Sequence, residues 1–230
     1  MPVEPEPSAW VFPPVHGADP DGPVAVGGDL NPGTLLAAYR HGLFPMPIGR
    51  RRLGWWSPDP RGVLVPGEAH QSRSLARSMR RFEFRVDTSF AQVVDGCADP
   101  SRPHGWITSD IKAAYTLLHQ LGWAHSVETF LDGELVGGLY GICIGGLFAA
   151  ESKFHTRTDA SKAAVVALAR IMSATSGSLI DVQWATPHLE TLGVREIERD
   201  RYVELAALAR RLPSPIEFQD DVSTSVRSWT

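Results

Sequence analysis

An α+β fold with a mostly antiparallel central sheet is predicted by three features of the chain. Between His125 and Ser152 apolar residues run in strand-like blocks separated by two-residue turns, Asp132-Gly133 and Gly145-Gly146. On either side apolar residues recur at helical spacing: Ile111, Ala114, Leu118 and Leu121 before, Ala164, Val165, Leu168, Ala169 and Met172 after. The first sixty residues differ in character, with proline and glycine punctuating short segments. The chain is therefore divided into a small N-terminal α/β subdomain, residues 1–60, and a larger domain, residues 61–230, that carries the sheet.

In chain order, the proline-rich start is expected to be extended. Asn31-Pro32 is a helix N-cap followed by proline at the first helical position, and Gly42 is the matching stop. From Gly42 to Arg61 the chain is expected to be loop and turn. Trp55-Trp56-Ser57-Pro58-Asp59-Pro60 sets two tryptophans against two prolines, which suggests a rigid aromatic loop offered to a ligand. Arg73, Arg77 and Arg80 are spaced four and three apart, on one helix face that continues to Arg81 and Arg85. Thr108 or Ser109 caps the next helix and Gly122 ends it. The three-strand meander follows, with Glu151 at the end of its last strand. Then come a helix from about Ser161 to Ala174, a short strand from Ser178 to Gln183, and a final helix after Asp200 with Tyr202, Leu205, Leu208 and Ala209 on one side. Helix, meander, helix, strand, helix is the order of an acyltransferase domain of the N-acetyltransferase (GNAT-like) type, whose sheet splits to admit an acyl donor.

Composition excludes several classes. With 230 residues, 43% apolar and 21% charged, the chain has an ordinary globular composition. Cys97 and Cys143 stand alone in apolar segments, so neither a zinc site nor a disulfide framework is expected, and no metal or cofactor is assigned. No window approaches the ~18 apolar residues of a membrane span, and Met1-Pro2-Val3-Glu4 has no signal-peptide character, so the expected location is the cytoplasm. A net charge of −4 gives no global pull on nucleic acid, so RNA binding would need a local patch such as the arginine face. A simple solvated helix face is the plainer reading of that run.

Three polar residues interrupt apolar strands: Glu151, Asp181 and Gln183. Asp181 stands among Leu179, Ile180 and Val182, where a buried carboxylate is costly unless hydrogen-bonded or used. Two residues on, Gln183 is expected to point to the same sheet face and to be its partner.

An ordered set of motifs resembles the leucyl/phenylalanyl-tRNA–protein transferases. Gly27-Gly28-Asp29-Leu30, Tyr39-Arg40-His41-Gly42-Leu43-Phe44-Pro45 and Trp55-Trp56-Ser57-Pro58-Asp59-Pro60-Arg61 carry it in the N-terminal part. Gly105-Trp106-Ile107-Thr108, Gly137-Gly138-Leu139-Tyr140-Gly141, Leu147-Phe148 with Glu151-Ser152 and Phe154, Ala160-Ser161-Lys162, Leu179-Ile180-Asp181-Val182-Gln183, and His188 with Leu192-Gly193 carry it beyond. The resemblance implies transfer of leucine or phenylalanine from its tRNA to an N-terminal arginine or lysine, which marks the acceptor for degradation. It implies that Asp181 and Gln183 orient the attacking amine and that Glu151 and Asp181 receive the cationic acceptor residue. It places the aminoacyl side chain among Leu139, Phe148, Val165, Leu168 and Ile180. It puts the 3′-adenosine against Trp106 and Met46; by its spacing, the arginine face of Arg73, Arg77, Arg80 and Arg81 is the candidate for tRNA phosphates. The partners so implied are an aminoacyl-tRNA donor and a protein acceptor; with no heptad or exposed apolar seam in the sequence, a monomer is expected. Two positions depart from the family pattern: Met46 where tryptophan is frequent, and Thr186 where asparagine is common.

Two other classes fit the sequence less well. An acyl-CoA-dependent N-acetyltransferase cradles pyrophosphate in a glycine-rich turn, and residues 154–161 contain no glycine. A non-catalytic RNA-binding module leaves Asp181 and Gln183 without a task, and the net charge is wrong for it.

Overall fold

Proline placement decides the layout of the N-terminal segment. In the computed structural model, which describes residues 1–49, 52–101 and 105–219, β1 (Pro23–Val26), β2 (Phe44–Ile48) and β3 (Arg52–Trp56) form an antiparallel sheet in the order β1-β3-β2. Pro45 and Pro47 fall on β2, an edge strand, where a missing N–H breaks no central ladder. The proline-free β3 takes the centre. The expectation of loop and turn between Gly42 and Arg61 is corrected accordingly. The tryptophan pair is corrected too: Trp55 is buried and donates its Nε1–H to the Gly27 carbonyl at 2.8 Å, so it is core and not a ligand platform. Residues 57–60 are irregular, with the Asp59–Pro60 bond cis. Between β1 and β2 lies α1 (Pro32–Arg40), where Asn31 caps through its extended backbone and Gly42 ends the helix with φ +79°.

The larger sheet is built from β4 (Arg61–Leu64), β5 (Glu83–Val86), β6 (Ala124–Leu131), β7 (Glu134–Ile144), β8 (Leu147–His155), β9 (Leu179–Gln183) and β10 (Arg195–Ile197). Their order is β10-β4-β9-β8-β7-β6-β5, and every pair is antiparallel except β8 with β9. The expected meander is β6 to β8. Its first turn carries φ +53° at Asp132 and +81° at Gly133, the left-handed pair a two-residue hairpin needs. The helices are α2 (Arg73–Met79), α3 (Phe90–Cys97), α4 (Ser109–Gln120), α5 (Ala160–Ser173), α6 (Pro187–Glu190) and α7 (Arg199–Ala209). Thr108 caps α4 by accepting the Ile111 N–H at 3.3 Å. Residues 220–230, inside the larger domain as the sequence divides it, lie outside the described residues.

Strand alternation sorts the core into layers. Leu139, Phe148 and Ile180 join Val165 and Leu168 of α5 in one apolar cluster. Their neighbours Tyr140, Ile142 and Ala149 join a second cluster with α1, α3, α4 and Trp55, so this core runs continuously past residue 60. A third, smaller cluster packs Tyr202, Ala206 and Ala209 of α7 on Val63, Leu147 and Leu179. Leu208 is exposed and Leu205 half-buried, so α7 buries a face turned from the expected one. Among the described residues no helix is long and apolar enough to cross a membrane.

The β7–β8 contact leaves no room for a side chain at Gly141: an added Cβ would meet the Ala149 carbonyl oxygen at 2.2 Å and the Phe148 ring at 2.5 Å. Gly141→Ala is expected to destabilise by about 2 kcal/mol, lowering Tm by roughly 4–8 °C. Gly67→Ala, with nothing within 4 Å, is the neutral control. Calorimetry of the two variants checks this.

Candidate active site

The sheet opens at one place. β8 and β9 pair over Leu147↔Leu179, Phe148↔Ile180 and Ala149↔Asp181, and the pairing ends there. Both strands bulge just beyond. On β8, Tyr140 faces Ser152 while Gly141 faces Ala150, so Glu151 is the extra residue. On β9, Gly62 faces Gln183 while Val63 faces Asp181, so Val182 is the extra residue. A bulge re-aims side chains and interrupts the ladder. Gln183 also adopts φ +62°, which a residue with a Cβ seldom takes. A cavity of about 90 Å³ occupies the opening, lined by Leu139, Glu151, Val165, Val182, Gln183 and Leu189 among others. That is far more than the ~10–15 Å³ that admits a single water.

Asp181 sits at the parting point, fully buried. Its carboxylate accepts Arg61 Nε–H at 2.8 Å and Arg61 Nη2–H at 2.7 Å, a bidentate ion pair. It also accepts the Tyr202 hydroxyl at 2.9 Å and the Gln183 backbone N–H at 2.9 Å. Arg61 is fully buried as well, and lies 4.3 Å from the Tyr202 ring centroid and 4.9 Å from that of Phe44. Burial works against its charge, but Asp181, Tyr202 and Glu151 together outweigh this and the net shift is upward. The relation between Asp181 and Gln183 therefore differs from the one the sequence suggests. The bulge breaks the two-residue alternation, and Asp181 grips the backbone of Gln183, not its amide. With four donors on it, two of them from an arginine, Asp181 has no free lone pair or net charge to offer a cationic acceptor.

Glu151 is in the opposite condition. Its Oε2 accepts the Tyr115 hydroxyl at 3.0 Å, and Tyr115 is in turn hydrogen-bonded to Tyr39. Oε1 is shielded from solvent and has no hydrogen-bond partner. Burial raises its pKa to about 7, with repulsion from Asp181 adding to the rise and the two tyrosines and Arg61 opposing it. Gln183 Nε2 is likewise buried without a partner. One orphan acceptor and one orphan donor thus face a cavity with apolar walls, and a buried polar group left unmade costs ~1–3 kcal/mol. A ligand carrying an amine and a carbonyl would satisfy both.

The remaining expected site residues scatter. Leu139 and Val165 line the cavity, whereas Phe148, Leu168 and Ile180 are fully buried core, and Val182 and Leu189 take their places. Trp106 packs half-buried against the second cluster, and the Met46 carbonyl accepts Trp56 Nε1–H at 3.4 Å. Neither is among the described residues lining the cavity. Arg73, Arg77, Arg80 and Arg81 are exposed on and after α2. A larger, open concavity of about 870 Å³ lies between α3 and α4, and the acid and amide described above are not among its described lining residues. Sequence reading missed Arg61, Tyr202, Tyr115 and Tyr39. Arg61 alone left a signal, as a cation at the start of an otherwise apolar strand. Among the described residues no group of three or more His, Cys, Asp or Glu is placed to hold a metal.

An acid and an amide with shielded, unpartnered atoms at a strand opening, beside an apolar cavity, can hold an amine and a carbonyl side by side. Residues 63–207 match the family described as leucyl/phenylalanyl-tRNA protein transferase, and residues 28–59 match its N-terminal domain. A leucyl/phenylalanyl-tRNA–protein transferase of Aromatoleum aromaticum is 52% identical over 83% of each chain. Proteins of the same name from Stutzerimonas stutzeri and Thiobacillus denitrificans are each 48% identical, over 90% and 94% of this chain and 95% and 98% of theirs. The chain belongs to the leucyl/phenylalanyl-tRNA protein transferase family, and with it to the aminoacyltransferases.

The raised pKa of Glu151 has a consequence for stability. In the unfolded chain this acid loses its proton near 4.5, in the folded protein near 7. Between these values the folded state holds one proton more, so stability falls as pH rises from about 4.5 to about 7 and then levels. Glu151→Gln should remove that slope. Urea unfolding of both proteins from pH 4.5 to 8 checks it; parallel curves would assign Glu151 an ordinary pKa.

Proposed function

We propose that the protein transfers leucine or phenylalanine from aminoacyl-tRNA to the N-terminal arginine or lysine of acceptor proteins, forming a peptide bond that marks them for degradation. Family membership supports the reaction class, and one observation supports the site: the cavity between β8 and β9, where Glu151 Oε1 and Gln183 Nε2 are both unsatisfied. In this reading the larger domain, from about residue 61, is GNAT-like, and the opening between its parallel strands admits the aminoacyl ester. Leu139, Val165, Val182 and Leu189 receive the leucine or phenylalanine side chain. Trp106, with Met46, stacks on the terminal adenosine, a contact worth ~1–3 kcal/mol per base. Arg73, Arg77, Arg80 and Arg81 meet phosphates further along the tRNA. The protein acts as a cytoplasmic monomer.

The chemistry is aminolysis of an activated ester. The neutral α-amine nitrogen attacks the ester carbonyl carbon, the bond from that carbon to the ribose oxygen breaks, the amine gives up a proton and the ribose oxygen gains one. An α-amino pKa of ~7.7–8.0 leaves part of the acceptor neutral at physiological pH, so positioning carries much of the rate. Gln183 holds the reacting groups through its side-chain amide, while Asp181 fixes its backbone. Glu151, not the neutralised Asp181, is the acidic contact for the acceptor: the approach of a guanidinium or ammonium draws off its proton and leaves a charge-assisted hydrogen bond.

The test is to incubate the protein with leucyl-tRNA and peptides that differ only in their first residue. Arginine- and lysine-initiated peptides should be leucylated and an alanine-initiated one hardly at all. Glu151→Gln should shrink that preference about 10-fold or more, the value of a hydrogen bond to a charged group. Equal leucylation of all three peptides by the unaltered protein would refute the assignment of Glu151.

A further inference from the structure

A rim of basic side chains, two lysines and two histidines, borders the cavity on its α5–α6 side. Lys153, from β8, is a lining residue. Lys162 lies in the first turn of α5, three residues before Val165, which lines the same cavity and so shares its helix face. His188, on α6, immediately precedes Leu189, another lining residue. His155 closes β8 and is held by a 3.1 Å hydrogen bond between its Nδ1 and Ser161 Oγ. Behind these side chains stands the N-terminus of α5, a fourteen-residue helix whose N-cap Asp159 makes no side-chain capping bond. Its first amides and its dipole favour an anion.

These groups are close enough to act on one another. Burial lowers the pKa of His188 first, and the charges of Lys153, Lys162 and His155 lower it further, with Asp159 opposing. Like charges gathered at one rim repel, and an anion would relieve that repulsion. Asp159, a carboxylate that opposes this shift, accepts the Ser78 hydroxyl at 2.7 Å. Ser78 lies on α2 between Arg77 and Arg80, so the rim adjoins the arginine face. A cationic acceptor residue gains nothing on this side of the cavity. A polyanionic donor does, and an ester on this side lies beside Glu151 and Gln183, which line the same cavity.

We propose that Lys153, His155, Lys162 and His188 bind the phosphodiesters linking the 3′-terminal nucleotides of the aminoacyl-tRNA. This rests on the transferase reading and adds to it a phosphate subsite next to the reacting ester. The rim and the arginines of α2 then form one track, from the last phosphates to those deeper in the tRNA.

The experiment compares two donors, leucyl-adenosine, which has no internucleotide phosphate, and a leucylated trinucleotide ending in the same adenosine, which has two. For Lys153→Ala/Lys162→Ala the KM of the trinucleotide should rise about tenfold more than that of leucyl-adenosine, and its dependence on log salt should flatten by about 1.4, the release expected for two single-strand phosphates. Lys153→Arg/Lys162→Arg should restore the trinucleotide KM, which shows that charge and not fold was lost. The proposal is overturned if both donors suffer equally, since the lysines would then only shape the cavity. It is overturned also if the peptide KM rises in place of the donor KM, which would make the rim an acceptor surface. Absence of transfer by the unaltered protein from either donor would instead refute the transferase reading itself.

Discussion

The site hangs on one buried ion pair. Arg61 and Asp181 have no solvent access, and each would be very costly to bury alone. Together they tie the first residue of β4 to the middle of β9, with Tyr202 of α7 and the Gln183 backbone completing the shell. The pair stands where β8 and β9 part, so the strands are held apart by a rigid polar knot and not by a flexible gap. It also explains a local irregularity: Gln183 keeps a left-handed φ because its N–H is committed to Asp181.

From this anchor the two carboxylates acquire different surroundings. Asp181 is saturated and structural in its contacts. Glu151, on a bulge with two tyrosines behind it, is left near neutral titration with one oxygen unmet. Two acids within electrostatic reach, pushed to unlike conditions by their surroundings, is the pattern that divides roles in an active site. An ester that is already activated asks little more of a protein than a dry pocket, an oriented amine and a counter-charge for the incoming residue.

Much of the fold was legible in the sequence because its signals are local. The Asp132-Gly133 turn, the Thr108 cap and the apolar repeat of α5 each state their geometry within a few residues. What was not legible depends on partners distant in the chain. The stretch from Gly42 to Arg61 was expected to be loop, since nothing local reveals that β2, with Pro45 and Pro47, is an edge strand. Trp55 looked displayed because its burial comes from α1 and the N-terminal segment, including Phe12 at 4.8 Å between ring centroids. At the site, Glu151, Asp181 and Gln183 stood out as polar interruptions of apolar strands, but their relations did not. Two bulges set where they point, and a bulge leaves no mark in a pattern read at period two. The partners Arg61, Tyr202, Tyr115 and Tyr39 come from elements 21 to 120 residues away from the acids they serve.

The Arg61–Asp181 pair is tested most directly by a double-mutant cycle in urea unfolding, with Arg61→Met, Asp181→Leu and the two combined. Each single change strands a buried charge and should cost about 3–5 kcal/mol, whereas the combined change, which removes both charges, should cost far less than the sum. Losses that simply add would contradict the coupling on which the geometry of the opening depends.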